Sequence, residues 1–199
     1  MINRRWPGKG ALAHVLSDLS GMPRAMRKLA AIQFFTWFAL FIMWQFMTPV
    51  VTRHFFGAKD PTTAAYNAGA DWVGLLFVVF NLAAVALSFF ALPALARRFG
   101  DAKTHAACLA IGAMSFLAIL VIRDKYVLFL PFIGLGIAWG SLLSLPYTML
   151  TRSVPARKIG VYMGIFNFFI ACPQLVGAAG MGPLPPTLFP AAPICTTAL

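Results

Sequence analysis

The stretch Gly134–Phe169, GLGIAWGSLLSLPYTMLTRSVPARKIGVYMGIFNFF, consists of two apolar runs hinged on a short basic segment from Thr151 to Lys158. A thin row of polar groups is set into the apolar runs: Ser141, Ser144, Tyr147, Tyr162 and Asn167. A soluble core does not need runs of this length, and a simple anchor does not need these polar groups. Read outward from it, the rest of the chain repeats the arrangement, as a transport protein of the membrane would.

Composition excludes a water-soluble domain. Of the 199 residues, 60% are hydrophobic and 11% charged, against about 25% charged in an ordinary globular protein. So little charge cannot coat a surface with water-facing groups. The net charge of +11 does not indicate nucleic acid as a partner, because the cations fall in short segments between apolar runs, which is how membrane proteins mark their cytoplasmic side. Cys108, Cys172 and Cys195 are far apart and read as packing residues. His14, His54 and His105 all lie in or beside polar segments, and no catalytic triad, phosphate loop or metal-ligand spacing appears. The expectation is therefore no enzyme, no cofactor and no metal.

Five apolar runs are long enough to cross a bilayer, for which a helix needs about 20 residues: 29–51, 72–96, 106–122, 126–150 and 159–180. Residues 1–28 form a basic segment suited to a lipid surface, and no apolar stretch follows Arg4 and Arg5 closely enough to make a signal peptide. Residues 181–199 carry five prolines, which rules out a sixth regular helix there. With the N-terminus in the cytoplasm, 12 of the 16 Lys and Arg residues lie on the inner side, a clear positive-inside bias. The expectation is an all-α multi-pass membrane protein whose C-terminus lies outside.

Polar residues inside spans are expensive in lipid unless they face a partner or a watery cavity. On the first run Gln33, Trp37, Trp44 and Thr48 form one stripe. An aromatic ring beside an amide suits a sugar, whose C–H face stacks while its hydroxyls take paired donors and acceptors. Trp44 reads as an interfacial anchor and Trp37 as the better site residue. On the second run Asp71, Gly74, Asn81 and Ser88 share a face. Asn81 either holds a neighbouring helix or lines a solute site, and Asp71 reads as an interfacial cap rather than a proton relay. On the fourth run Gly134, Gly136 and Gly140 read as packing positions, while Ser144 and Tyr147, sharing a face with Gly140, could line a cavity. On the fifth run Gly160, Gly164 and Asn167 share a face, with Gln174 beyond them and Pro173 freeing a carbonyl. The candidate solute contacts are thus Gln33, Trp37, Asn81, Ser144, Tyr147 and Asn167.

Several of these segments resemble one family. MPRAMRKLAAIQFFTWFALFIMWQF (22–46) is similar to the start of the seventh helix in sugar:cation symporters of the major facilitator superfamily, in the branch of bacterial relatives of plant sucrose transporters, within or near the glycoside–pentoside–hexuronide group. ADWVGLLFVVFN (70–81) resembles the eighth helix. GIAWGSLLSLPYTML (136–150) and GVYMGIFNFFIACPQ (160–174) resemble the tenth and eleventh. PALARRFGDAKTH (93–105) is similar to the family's basic cytoplasmic loop between helices eight and nine: Pro93, Leu95, Arg98, Gly100, Lys103 and His105 fit, and Asp101 and Ala102 depart.

The resemblance, which runs from Met22 to Gln174, implies twelve helices in two six-helix halves with solute held between them. It implies alternating access coupled to H+, in a bacterial inner or plasma membrane, and a role for Arg97, Arg98, Gly100 and Lys103 in setting the inward/outward equilibrium. This chain would supply helices seven to eleven, with the N-terminal half or another membrane subunit as partner beside the bilayer, the sugar and the proton. A non-transporting membrane interaction protein or remnant is the alternative.

Overall fold

The computed structural model describes residue 22 and residues 24–181. The expected surface segment 1–28, apart from its last residues, and the proline-rich tail beyond Met181 lie outside the described residues. Among those described, every regular element is helical, and five helices are long and apolar enough to cross a membrane. They are α1 (Arg24–Phe56), α2 (Ala64–Phe99), α3 (Asp101–Val121), α4 (Phe129–Ser153) and α5 (Ile159–Met181).

The helices do not stop where the apolar runs stop. α1 covers 24–56 where the apolar run is 29–51, and α2 begins at Ala64 rather than at Trp72. A helix satisfies its own amides, so it continues into polar flanks until a residue stops it. α1 ends at Gly57, whose φ of 63° lets the Ala58 amide reach back six residues to the Thr52 carbonyl at 3.1 Å, a closure that a left-handed glycine permits. α2 begins at Thr63, whose hydroxyl accepts from the Tyr66 amide. Asp71, expected as an interfacial cap, instead stands exposed two turns inside that helix.

The largest correction concerns the segment read as a basic loop. Arg97 and Arg98 end α2, Lys103 lies in the first turn of α3, and a single residue, Gly100, joins the two helices with φ 84°. Arg and Lys are good helix formers, and only a residue without Cβ turns the chain so abruptly. Within α2 the ladder widens into one π turn, Leu87–Ala91.

The described residues fall in two compact units. One is formed by the chain up to Phe41 with the chain from Leu150, the other by Ile42–Met149. In the first unit α5 meets α1 at Gly177, where a Cβ would lie 2.8 Å from the Phe41 ring. In the second unit α4 is wedged between α2 and α3. A Cβ on Gly136 would strike the Phe80 carbonyl, and one on Gly140 would lie 2.7 Å from the Ala84 carbonyl. On the opposite side, a Cβ on Gly134 would strike Ser115, and Gly112 of α3 packs against Ala138. Small residues let helix backbones meet directly, and such packing replaces the hydrophobic drive that lipid removes. Accordingly 61% of the α4 span is buried, against 22–28% for the other four.

Aromatic contacts close the second unit. Trp44, expected as an interfacial anchor, sets its ring edge-on to Trp139 at 5.2 Å, and Trp139 stacks on Phe80. Lys125 places its ammonium over Phe56, Trp72 and Tyr126 at 4.8–5.3 Å, while the Trp72 indole donates to the Lys125 carbonyl. Phe90, Phe89 and Leu120, at 84%, 76% and 76% exposure, face outward, as lipid-facing side chains must in a bundle of spanning helices.

Replacing Gly136 or Gly140 by Val is expected to cost about 1–3 kcal/mol by overpacking, read as earlier unfolding in a detergent denaturation series. Gly74→Val, where nothing lies within 4 Å of the added Cβ, is expected to leave the midpoint unchanged.

Candidate functional site

Most polar side chains of the spans are turned back on their own helices. Hydroxyls of Thr36, Ser115, Ser144 and Thr148 donate to carbonyls four residues earlier, at 2.8–3.1 Å. The Asn81 amide does the same to Phe77 at 2.7 Å, and the Gln174 amide to Ile170 at 3.3 Å. Such bonds remove the cost of a donor in lipid without a second helix.

The six sequence-predicted contacts divide between the units. Gln33, Trp37 and Asn167 belong to the first. Gln33 is completely buried, and neither its Nε2 nor its Oε1 has a hydrogen-bond partner among the described residues. Its own backbone carbonyl, with that of Ile32, accepts from Thr36. Trp37 is half-buried one turn further along, and Asn167 stands exposed on α5. Gly160 and Gly164, on the same α5 face as Asn167, have open space where a Cβ would be.

Asn81, Ser144 and Tyr147 belong to the second unit. Asn81 is exposed on a face of α2 that also carries the exposed Asp71 and Gly74, while Ser144 and Tyr147 are half-buried on α4. With their donor protons on backbone carbonyls, Asn81 and Ser144 keep acceptor capacity.

A second polar group was not expected. His105, placed by the sequence beside a loop, lies inside α3 at 2% exposure, and its Nδ1 is 2.6 Å from the Ser141 hydroxyl of α4. Its Nε2 and the neighbouring Thr104 hydroxyl are buried with no partner among the described residues. The signal was legible: His105, Cys108, Gly112 and Ser115 step by three, four and three, and all four are buried. Outside the spans, Asp60 accepts from the Thr62 amide at 2.9 Å and hydroxyl at 2.8 Å, and these bonds hold its carboxyl below the usual carboxylate range.

Residues 3–179 match the model of the Major Facilitator Superfamily. The chain belongs to the major facilitator superfamily. Its five spanning helices make it a multi-pass membrane protein of that transporter family. Two curated relatives are each named sucrose transport protein SUT5, one from Oryza sativa subsp. indica and one from subsp. japonica. Each is 27% identical to the chain, over 89% of the chain and 38% of the relative. The chain therefore spans less than half the length of the curated relatives it matches. No solved structure matches.

Gln33→Met is expected to leave thermal stability unchanged or raised, because an apolar group of similar shape removes the orphaned amide without opening a void. Gln33→Ala is expected to lower it by about 2–4 kcal/mol through the cavity. Melting of the detergent-solubilised chain reads both.

Proposed function

We propose that the chain is the C-terminal part of a major facilitator carrier of a sugar, a mono- or disaccharide or glycoside, working by alternating access and coupled to H+. The observation that carries the solute reading is Gln33. A fully buried amide with donor and acceptor both unpaired among the described residues is an uncompensated cost in a folded protein, and a sugar hydroxyl, donor and acceptor at once, satisfies both atoms. Trp37, one turn on, supplies a ring face for the C–H side of the same pyranose or furanose. The name of the curated relatives supports this substrate class, since they are called sucrose transport proteins.

In this reading the chain supplies helices seven to eleven of twelve, with its N-terminus in the cytoplasm. The 38% share of the relatives' length fits a piece of that size. Asn81, Ser144, Tyr147 and Asn167 are the remaining proposed contacts, offering amides from α2 and α5 and hydroxyls from α4. The exposure of Asn81 and Asn167 on membrane-spanning helices supports an aqueous or protein neighbour rather than lipid at those faces. The Gly100 turn between Arg98 and Lys103 is proposed to set the inward/outward equilibrium: a one-residue joint concentrates any relative tilt of α2 and α3 into one pair of backbone torsions.

Uptake of labelled sucrose, maltose and glucose tests the reading in cells expressing the chain alone and together with the reading frame immediately upstream. The chain alone is expected to be inactive, and the pair to accumulate at least one sugar. No uptake in either case removes the transport claim. Within the active pair, Gln33→Met, Asn81→Ala and Asn167→Ala are expected to raise KM or abolish uptake while membrane insertion is retained. Loss of assembly with no effect on solute binding favours the alternative, a membrane scaffold.

A further inference from the structure

The group least explained by solute binding or by packing is the buried imidazole between α3 and α4. His105, Thr104, Cys108 and Ser141 are all at least nine-tenths buried. A helix pair needing only close contact would have used small residues, as it does further along the same pair at Gly112 with Ala138 and at Gly134 with Ser115. Instead an ionisable ring is held there by one bond, with the other nitrogen bare of any partner among the described residues.

We infer that His105 is a proton-binding site of the carrier, with Nε2 as the atom that takes the proton and Ser141 as the positioning residue. The Ser141 hydroxyl lies 2.6 Å from His105 Nδ1 and within reach of the buried Cys108 thiol. A hydroxyl has one proton to give. If Ser141 gives it to the sulfur, it accepts from Nδ1–H, and that tautomer leaves Nε2 as a lone pair without a donor. This assignment follows from the network rather than from observed hydrogens.

The occupant is a proton rather than a solute or a metal. α3 and α4 approach so closely that a Cβ on Gly112 would lie 2.6 Å from Ala138, so no sugar enters between them. Leu92 and Leu145 pack with Cys108 on the same side, with Leu87, Ala96, Ile137 and Met149 around them. No cluster of three metal-ligating side chains exists among the described residues. The source of the proton is water at the Gly100 end: His105 lies four residues into α3, about 6 Å along the axis. Uptake adds one proton to the Nε2 lone pair, makes both ring nitrogens donors, and fixes Ser141 as acceptor from Nδ1.

The groups around the ring that carry or can carry charge are few. On α3 they are Asp101, one turn toward the joint, the exposed Lys103, and Cys108, one turn beyond. The end of α2 contributes Arg97 and Arg98, both exposed, and α4 contributes the half-buried Tyr147 besides Ser141. The element able to respond is the π turn of α2. Gly140, the residue before Ser141, is seated on Ala84 and on the Ser88 hydroxyl of that turn. A π turn sits one residue from a regular α ladder and is a place where a helix re-registers.

The meaning of the proton as a coupling ion rests on the transport reading, but its binding is measured without sugar. The chain is reconstituted in lipid nanodiscs with His14→Gln and His54→Gln, so that His105 is the one histidine left of three. The 15N signals of its ring are followed from about pH 4 to pH 9, a range spanning the ordinary imidazole titration. The expected result is an Nδ1–H tautomer at high pH that converts to imidazolium within this range. In Ser141→Ala the tautomer ratio changes and the midpoint moves by about 0.5–1 pH unit, the worth of one hydrogen bond. A ring that stays neutral throughout, or one that titrates identically without Ser141, overturns the proposal. Uptake that persists with a silent ring removes the proton site alone; a titrating ring in a chain that never supports uptake removes the transport reading alone.

Discussion

The second unit depends on a contact in which side chains are missing. Gly136 and Gly140 bring the α4 backbone directly onto the carbonyls of Phe80 and Ala84, while Gly134, Ala138 and Ser141 face α3 on the other side. In water, larger side chains would have been favoured for the apolar area they bury. In lipid that drive is absent between helices, and close packing with mutual dispersion takes its place. The α4 sequence carries both requirements at once: glycines two residues apart fall on opposite sides of a helix, and each side receives a partner. The large rings lie beyond this contact, where Phe80, Phe132 and Trp139 fill the space that the close backbones leave at their flanks.

How much of this was legible follows from what each signal reports. Run length and hydropathy report immersion, so the number of spanning helices could be read directly from the chain. They do not report hydrogen bonding, so they could not place the ends: α1 takes in Arg24 and Arg53, because cations near a helix end snorkel to the interface without leaving the helix. Charge density was the misleading signal at 97–103. Three cations in seven residues suggest a loop, yet Arg and Lys are strong helix formers, and the informative residue in RRFGDAK was the glycine at the α2 C-terminus. The same assumption hid His105. Once 101–121 is helical, the ring falls on the stripe with Cys108, Gly112 and Ser115, a stripe of small and polar residues that marks an interface between helices.

The candidate site residues illustrate a separate limit. A polar residue in a span has several ways to be satisfied, and Thr36, Asn81, Ser115, Ser144, Thr148 and Gln174 each donate to a carbonyl one helical turn earlier. Serine and threonine reach the carbonyl four residues earlier as readily in lipid as in water, so their presence carries little information about solute. Gln33 and His105 differ because each is buried with a polar atom that its own helix does not satisfy. Sequence supplies the residue type in both cases; only the fold shows whether the local backbone has already taken up its hydrogen bonds.

The π turn of α2 connects these features. Five residues, Leu87–Ala91, carry the widened ladder, and beyond them the chain changes character: α2 carries no cation before the turn and ends in Arg97 and Arg98 after it. A regular helix would have fixed the rotational phase of Leu92–Phe99 from that of Ala64–Ala86. The inserted residue resets that phase, so Leu92 turns inward onto Cys108 and Leu145 while Phe89 and Phe90 are left outside. The buried imidazole therefore lies beside the one place where the α2 register is not dictated by the 3.6-residue repeat. A widened ladder is also where a helix can change phase without breaking all of its bonds. The two least regular features of the unit, a buried ring nitrogen with no partner among the described residues and a widened turn, meet the adjacent residues Ser141 and Gly140 of α4.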